Sequence, residues 1–358
     1  MHQDQRGYPV TTEDSNAVEA LDRAFTAYVG FRTDAMAHLD AAIAADPGFA
    51  LPRIIKGTLI AGLKKPELYP LARNELEAAK NCPAPVSERE RHYIAALEAA
   101  LVDHVTGAVT HYEQIARDYP HDLFALRIAQ SELFWIGEVA WMRDISERAA
   151  PRWNPDIPGY SAYLSIRAFG LEENGNYALA EKCGREAVER NPADCWGAHA
   201  VAHVLVMQGR LLDGVGWLSE LSANWSAANH IVHHLWWHLA LFHTEHGDYG
   251  AALELYDQRL RNLDSPLMQA IPDFYVDIQN DAALLQRLEL RGADIADRWQ
   301  PIADLAQTRI VNHASPFTSA HCALALAAAG RFGEAEELIR SIKDFIAENT
   351  ACLGPRYA

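Results

Sequence analysis

The chain of 358 residues is long enough for a large core, and 49% hydrophobic with 22% charged residues is the balance of a folded globular protein. Acidic residues outnumber basic ones 48 to 31, a formal charge of −17 with no offsetting Lys/Arg run, which argues against nucleic acid and anionic membrane surfaces as partners. No apolar run reaches the roughly 18–20 residues of a bilayer span, and five cysteines, odd in number and without CxxC spacing, read as reduced, packed thiols of a cytoplasmic protein.

Taken from the start, residues 1–10 are polar, with neither a basic segment nor an apolar run, so the expectation is no secretory signal and an N-terminal extension over 1–14. Prolines then fall at Pro47, Pro83, Pro120, Pro155 and Pro192, with gaps of 36, 37, 35 and 37 residues. Four of them follow Asp, Tyr or Asn at the end of an apolar-periodic run. Proline cannot continue a helix and biases its predecessor away from helical backbone, so each marks a stop. A second mark recurs as Gly175-Asn176-Tyr177, Gly209-Arg210-Leu211, Gly247-Asp248-Tyr249 and Gly330-Arg331-Phe332. There glycine supplies the left-handed residue that turns one helix into the next. Period-2 strand patterns are lacking.

The period is close to the roughly 34 residues of a tetratricopeptide repeat. It predicts an all-α fold, a right-handed superhelical solenoid of nine helix pairs. These span about 15–45, 49–81, 87–118, 122–149, 157–190, 194–223, 230–262, 272–309 and 317–347. With no Ser/Gly-rich linker, 15–348 is expected to be one continuous domain and 349–358 a tail. The final helix carries Leu338, Ile339, Ile342, Phe345 and Ile346 with little chain left to cover them, so self-association into a homo-oligomer is expected.

Histidines are unevenly spread. Eight of the sixteen lie between His199 and His246. His199/His203 and His234/His238 each have i,i+4 spacing and so share a helix face. Each member of the second pair lies 35 residues after its counterpart, one repeat, which predicts that the four imidazoles line one concave groove. The same register reaches Tyr163 and Arg167 upstream, and Asp277, Asp281 and His321 downstream. Such a set has the residue types for metal ligation or acid–base work, although no HExxH-type motif is present. The structural alternative is packing: repeating units repeat their core residues too. Trp196, Trp217, Trp225, Trp236 and Trp237 crowd the same region, as core or as an apolar pocket wall; Trp236 and Trp237 diverge by about 100°, so one at most faces the groove.

These segments carry a family resemblance. Ala198-His199-Ala200-Val201-Ala202-His203-Val204-Leu205, with Met207 and Gly209-Arg210, resembles the hallmark of the tetratricopeptide repeat protein 38 family. So do His234-Leu235-Trp236-Trp237-His238-Leu239-Ala240-Leu241 and Asp281-Ala282-Ala283-Leu284-Leu285 with Arg298-Trp299, and the stretch around Phe317 and His321. The chain is similar to a bacterial member, and the resemblance covers most of it. It implies a helical-repeat fold and a histidine-bearing concave surface, and supplies no reaction. Val206, Leu235 and Ser319 stand where the family carries Glu, Asn and Asp.

The reading that follows is a binding protein whose groove takes a small organic ligand or a peptide segment, with Trp237, Tyr163, Arg167, Asp281 and His321 as ligand contacts. Peptide-clamp Lys, Arg and Asn residues are replaced here by His and aromatics, which favours the small molecule. The alternative is an enzyme using His203, His238, His199 and His234 with Asp277 for acid–base or metal-assisted chemistry. The four histidines are then the metal candidates, no cofactor is indicated by motif, and a metal is the less favoured occupant.

Overall fold

A computed structural model describes residues 2–272, 274–313 and 315–349. Cys352 and the predicted tail from residue 350 onward lie outside the described residues. Among those described, the fold is all-α, and the only β pairing is an isolated bridge between Gln3 and Pro9. No helix is long and apolar enough to cross a membrane.

Two compact units are distinguished, Met1–Val204 and Leu205–Ala358. The first contains α1 (Ser15–Val29), α2 (Ala35–Ala45), α3 (Ala50–Gly62), α4 (Tyr69–Lys80), α5 (Glu88–Ala100), α6 (Val105–Asp118), α7 (Leu123–Trp135), α8 (Val139–Ala149), α9 (Tyr160–Glu172) and α10 (Tyr177–Arg190). Helix α11 (Cys195–Met207) begins in it and runs past its boundary. The second holds α12 (Leu211–Leu221), α13 (Ile231–His246), α14 (Tyr249–Leu255), a short α15 (Pro266–Ala270), α16 (Tyr275–Leu290), α17 (Trp299–Gln307), α18 (Pro316–Ala328) and α19 (Phe332–Asn349). Within each unit, partners of a pair pack together, and first helices of successive pairs also touch: α3 with α5, α7 with α9, α13 with α16, α16 with α18. That register lets a residue type recurring once per repeat recur on one surface.

Punctuation sets these boundaries as the sequence predicts. Asp46, Tyr119 and Asn191, each followed by proline, end α2, α6 and α10 with non-helical backbone. Gly175, Gly209, Gly247 and Gly330 all have φ between 69° and 89°, where a β-carbon is strained. Helix starts are capped by side chains: Ser87 and Glu90 form a reciprocal capping box on α5, and Asp14 and Asp122 cap α1 and α7. Two features escape the pattern. One is α15, and the other is the end of α14, where Tyr256–Leu260 widens into a π turn closed by Arg261 N–H donating to the Tyr256 carbonyl at 2.8 Å.

Burial of the first unit extends to its N-terminal segment. The Asp4 carboxylate accepts from the backbone N–H groups of Arg6 and Tyr8, and its other oxygen takes the Arg89 guanidinium at 2.8 Å. Residues before the first helix are therefore part of the fold. In α19, Leu338 is fully buried, Ile342 packs on the second unit's core, Phe345 lies 5.1 Å from the His313 ring, and Ile339 remains 45% exposed.

Close packing in the second unit centres on Gly214 in α12. A β-carbon there would lie 2.2–2.5 Å from the ring of Phe242, itself fully buried on α13. Gly214→Ala is expected to destabilise by about 1–3 kcal/mol through overpacking. This reads out as a lower urea midpoint at unchanged m-value. Wild-type stability would mean that the ring yields freely.

Candidate functional site

In the second unit, α13 and α16 face each other with polar side chains in the interior. Helix α13 is entered through Asn229, whose side chain accepts from the Ile231 N–H, and stops at Gly247. It carries His233, His234 and His238, with His230 as its N-cap. On α16, Asp277, Asn280 and Asp281 recur at i, i+3 and i+4 and so share one face. Their exposures are 1%, 3% and 1%.

Asp277 is held by two imidazoles. His230 Nδ1 lies 2.7 Å from one carboxylate oxygen and His233 Nδ1 lies 3.0 Å from the other. The remaining ring nitrogen of His230 sits 3.1 Å from the Leu267 carbonyl of α15, which can only accept, so Nε2 carries hydrogen. Burial drives the Asp277 carboxyl upward, but the two histidine hydrogen bonds outweigh it and leave it below its ordinary range.

One turn further, Asp281 is in the opposite condition. Neither of its oxygens accepts a hydrogen bond among the described residues. Arg261, the residue that closes the π turn, approaches one of them only to 3.6 Å, and its own Nε and Nη1 are unmatched. Burial pushes the Asp281 carboxyl up to about 7; Arg261 opposes the rise and Asp277 adds to it. A fully buried carboxylate without hydrogen bonds is costly, and such groups call for an explanation.

A second chain of contacts runs beside this one. Asn280 Oδ1 lies 2.8 Å from His234 Nδ1, and His234 Nε2 lies 3.2 Å from His238 Nε2. The amide oxygen accepts, so His234 donates through Nδ1, and in a neutral ring its Nε2 accepts from His238. Trp237 stacks on His234 with ring centres 5.1 Å apart and planes 12° apart, while its indole N–H is buried without a hydrogen-bond partner.

In the first unit, α11 presents Trp196, His199 and His203. Trp196 donates to Gln130 Oε1 at 2.9 Å and is covered by the Arg127 guanidinium at 4.0 Å. The 2% exposed His199 stacks on that indole, ring centres 4.5 Å apart, and the His203 ring follows at 4.3 Å. His203 Nδ1 then lies 3.2 Å from Glu172 and 3.6 Å from Glu173, at the end of α9. Burial raises the Glu173 carboxyl, with His203 opposing and Glu172 adding.

The i,i+4 pairs of the sequence thus stand ring to ring, each within its own helix. The other candidates divide. Asp277 and Asp281 lie beside α13. Tyr163 donates to the Ser146 carbonyl at 3.0 Å and stacks on Trp153 at 4.6 Å, and Arg167 grips Glu147 at 2.6 and 3.2 Å, so both serve packing between α8 and α9. His321 bonds to the Phe317 carbonyl of its own helix at 2.8 Å, and burial lowers its pKa. Sequence reasoning missed His230, His233, Asn280, Arg261, Glu172 and Glu173. The i,i+3 spacing of His230 and His233 and the i,i+3,i+4 set on α16 were the available signals. Within each unit, one group among the described residues has ligand atoms close enough to share an ion: Glu172, Glu173 and His203 in the first, and His230, His233 and Asp277 in the second.

No known family profile matches the chain. A crystal structure of the P58(IPK) TPR domain is similar to it at 13% sequence identity, covering 92% of this chain and 90% of that one, with a TM-score of 0.25.

Proposed function

We propose that this protein belongs to the tetratricopeptide repeat protein 38 family, as a bacterial member, and that it binds a small polar organic ligand against α13 and α16 of its second unit. The observation that supports this is the Asp281 carboxylate, 1% exposed and, among the described residues, without a hydrogen bond on either oxygen, beside an Arg261 guanidinium whose Nε and Nη1 also lack one. Together they offer an acceptor and a donor inside the protein. A single amine or hydroxyl paired with an acidic or carbonyl group would satisfy both, whereas an extended peptide would have to bury its own backbone. The His230–Asp277–His233 set fixes one wall, and Trp237, with its unmatched indole N–H and stacked His234, supplies an apolar face with one donor.

One observation favours an enzymatic reading of the same groups. A carboxyl pushed up to about 7 is matched to proton transfer at neutral pH, and His233 on Asp277 is an oriented base.

Native mass spectrometry of protein purified without dialysis tests the binding reading. A small organic adduct is expected on the parent chain, absent from Asp281→Asn and Arg261→Gln variants of unchanged helicity. An adduct retained by both variants would place the ligand elsewhere and sink the reading.

A further inference from the structure

Independent of the ligand reading, the first unit carries a second polar cluster, at the end of α9. Glu172 is the last residue of that helix and Glu173 its C-cap. The helix dipole is negative there, so two adjacent carboxylates sit at the end of the helix that disfavours negative charge. Lys or Arg is the ordinary remedy at such a position, yet among the described residues the only ion-pair partner of either carboxylate is His203. Glu172 is 5% exposed, and its Oε2 has no hydrogen-bond partner even though His203 Nδ1 is 3.2 Å away. The ring nitrogen and the oxygen are therefore neighbours without being donor and acceptor to each other. The Nδ1 to Glu173 Oε1 distance is 3.6 Å, and the three donor atoms all lie within 4.8 Å of one another.

Those separations have a chemical meaning. Two ligand atoms at about 2.0–2.2 Å from one tetrahedral ion sit about 3.3–3.6 Å apart, on adjacent corners, with lone pairs directed at the ion and not at each other. Distances of 3.2 and 3.6 Å without a hydrogen bond match adjacent corners. We propose that Glu172, Glu173 and His203 form a binding site for a divalent first-row cation, zinc or manganese class. One imidazole with two carboxylates is the donor set that suits those ions, and three protein ligands leave coordination positions open to water or a ligand. Phe169, whose ring lies 5.6 Å from that of His203 and edge-on to it, forms an apolar side of the site. The cation neutralises two carboxylates that the helix end otherwise repels.

Chelator-stripped protein equilibrated with Zn²⁺, and separately with Mn²⁺, is assayed by equilibrium dialysis and elemental analysis. The parent chain is expected to bind one equivalent more than a Glu172→Gln/Glu173→Gln variant of the same helicity. Glu173→Gln alone, at the more exposed ligand, is expected to weaken that equivalent at least tenfold. A crystal of the parent chain soaked in Mn²⁺ should show an anomalous peak in contact with His203 Nδ1 and both carboxylates, a measurement that needs no variant to fold. No binding by the parent chain, equal stoichiometry in parent and double variant, or an anomalous peak only at other residues would each overturn the proposal.

Discussion

Replacing Arg89 by Met is expected to destabilise the first unit by about 3–5 kcal/mol, the usual loss when one partner of a buried ion pair is removed. The guanidinium is 2% exposed and bridges Asp4 at 2.8 Å and Asp122 at 2.6 Å. Both carboxylates are fully buried at their side chains, and Asp122 also takes the Tyr93 hydroxyl at 2.6 Å and caps α7. Removing the cation leaves two anions with only the buried Arg6 nearby, whose own pKa is lowered first of all by burial. Methionine retains an unbranched apolar stem but not the guanidinium, which Tyr8, Phe25 and Tyr119 surround at 5.4–6.0 Å, so the lost packing there adds to the cost. Denaturant titration at neutral pH measures the loss. Adding Asp4→Asn to Arg89→Met should restore part of it, because the second change removes one of the stranded charges. A single variant within about 1 kcal/mol of the parent chain would show that water reaches these carboxylates.

Asp281→Asn is expected to act in the opposite direction, by an amount that grows as pH rises above about 4. The folded-state pKa of about 7 lies above the ordinary carboxyl value of 3.8. Between these values the folded protein binds more protons than the unfolded chain, so this carboxyl makes stability fall as pH rises from about 4 to 7. Asparagine cannot titrate and removes that slope. The advantage of the variant should be absent near pH 3.5, grow through the window, and level off above pH 7 at no more than about 4 kcal/mol. Asp22 and Asp194, both raised to about 6 chiefly by burial, leave a slope of the same sign in the variant, ending about one pH unit lower. Melting temperatures of both proteins from pH 4 to 8.5 decide the matter. A variant less stable than the parent chain at pH 8 would mean that Arg261 compensates the charge fully. Gain of stability joined to loss of ligand is the expected signature of a functional charge, since sites commonly hold groups that the fold alone disfavours.

Much of the architecture was legible because its signals are local. Proline after Asp46, Tyr119 and Asn191 dictates backbone at those residues whatever packs around them, and Gly175, Gly209, Gly247 and Gly330 supply the left-handed turns. The site was legible only where it obeys the same periodicity. Helical spacing of four identified the ring-to-ring pairs on α11 and α13, because such neighbours meet by helix geometry alone. Glu172 and Glu173 carry no such mark: two consecutive glutamates ordinarily read as solvated helix, and only α11 lying against the end of α9 brings His203 to them. Asp277 was placed near the histidines by register, but its partners are His230 and His233, one turn before the pair that the register selected. Tyr163 and Arg167 occupy the expected helix and are turned to packing, since register places a side chain on a helix and its neighbours decide what it touches.

The π turn at Tyr256–Leu260 has a consequence for how this segment tolerates length change. A π turn holds one residue more than the α-helical turn it replaces, and here it ends the helix, so the chain leaves it at Arg261 with non-helical backbone. Arg261 is the first residue past the turn, and its guanidinium stands 3.6 Å from Asp281. A chain lacking one residue here would regain regular α-helical bonding and bury Tyr256 and Leu260 less well, since both now point inward at 3% and 1% exposure. It would also swing the cation off the carboxylate. The irregular turn therefore works as an inserted residue whose removal would make the helix more regular and the interior charge harder to sustain.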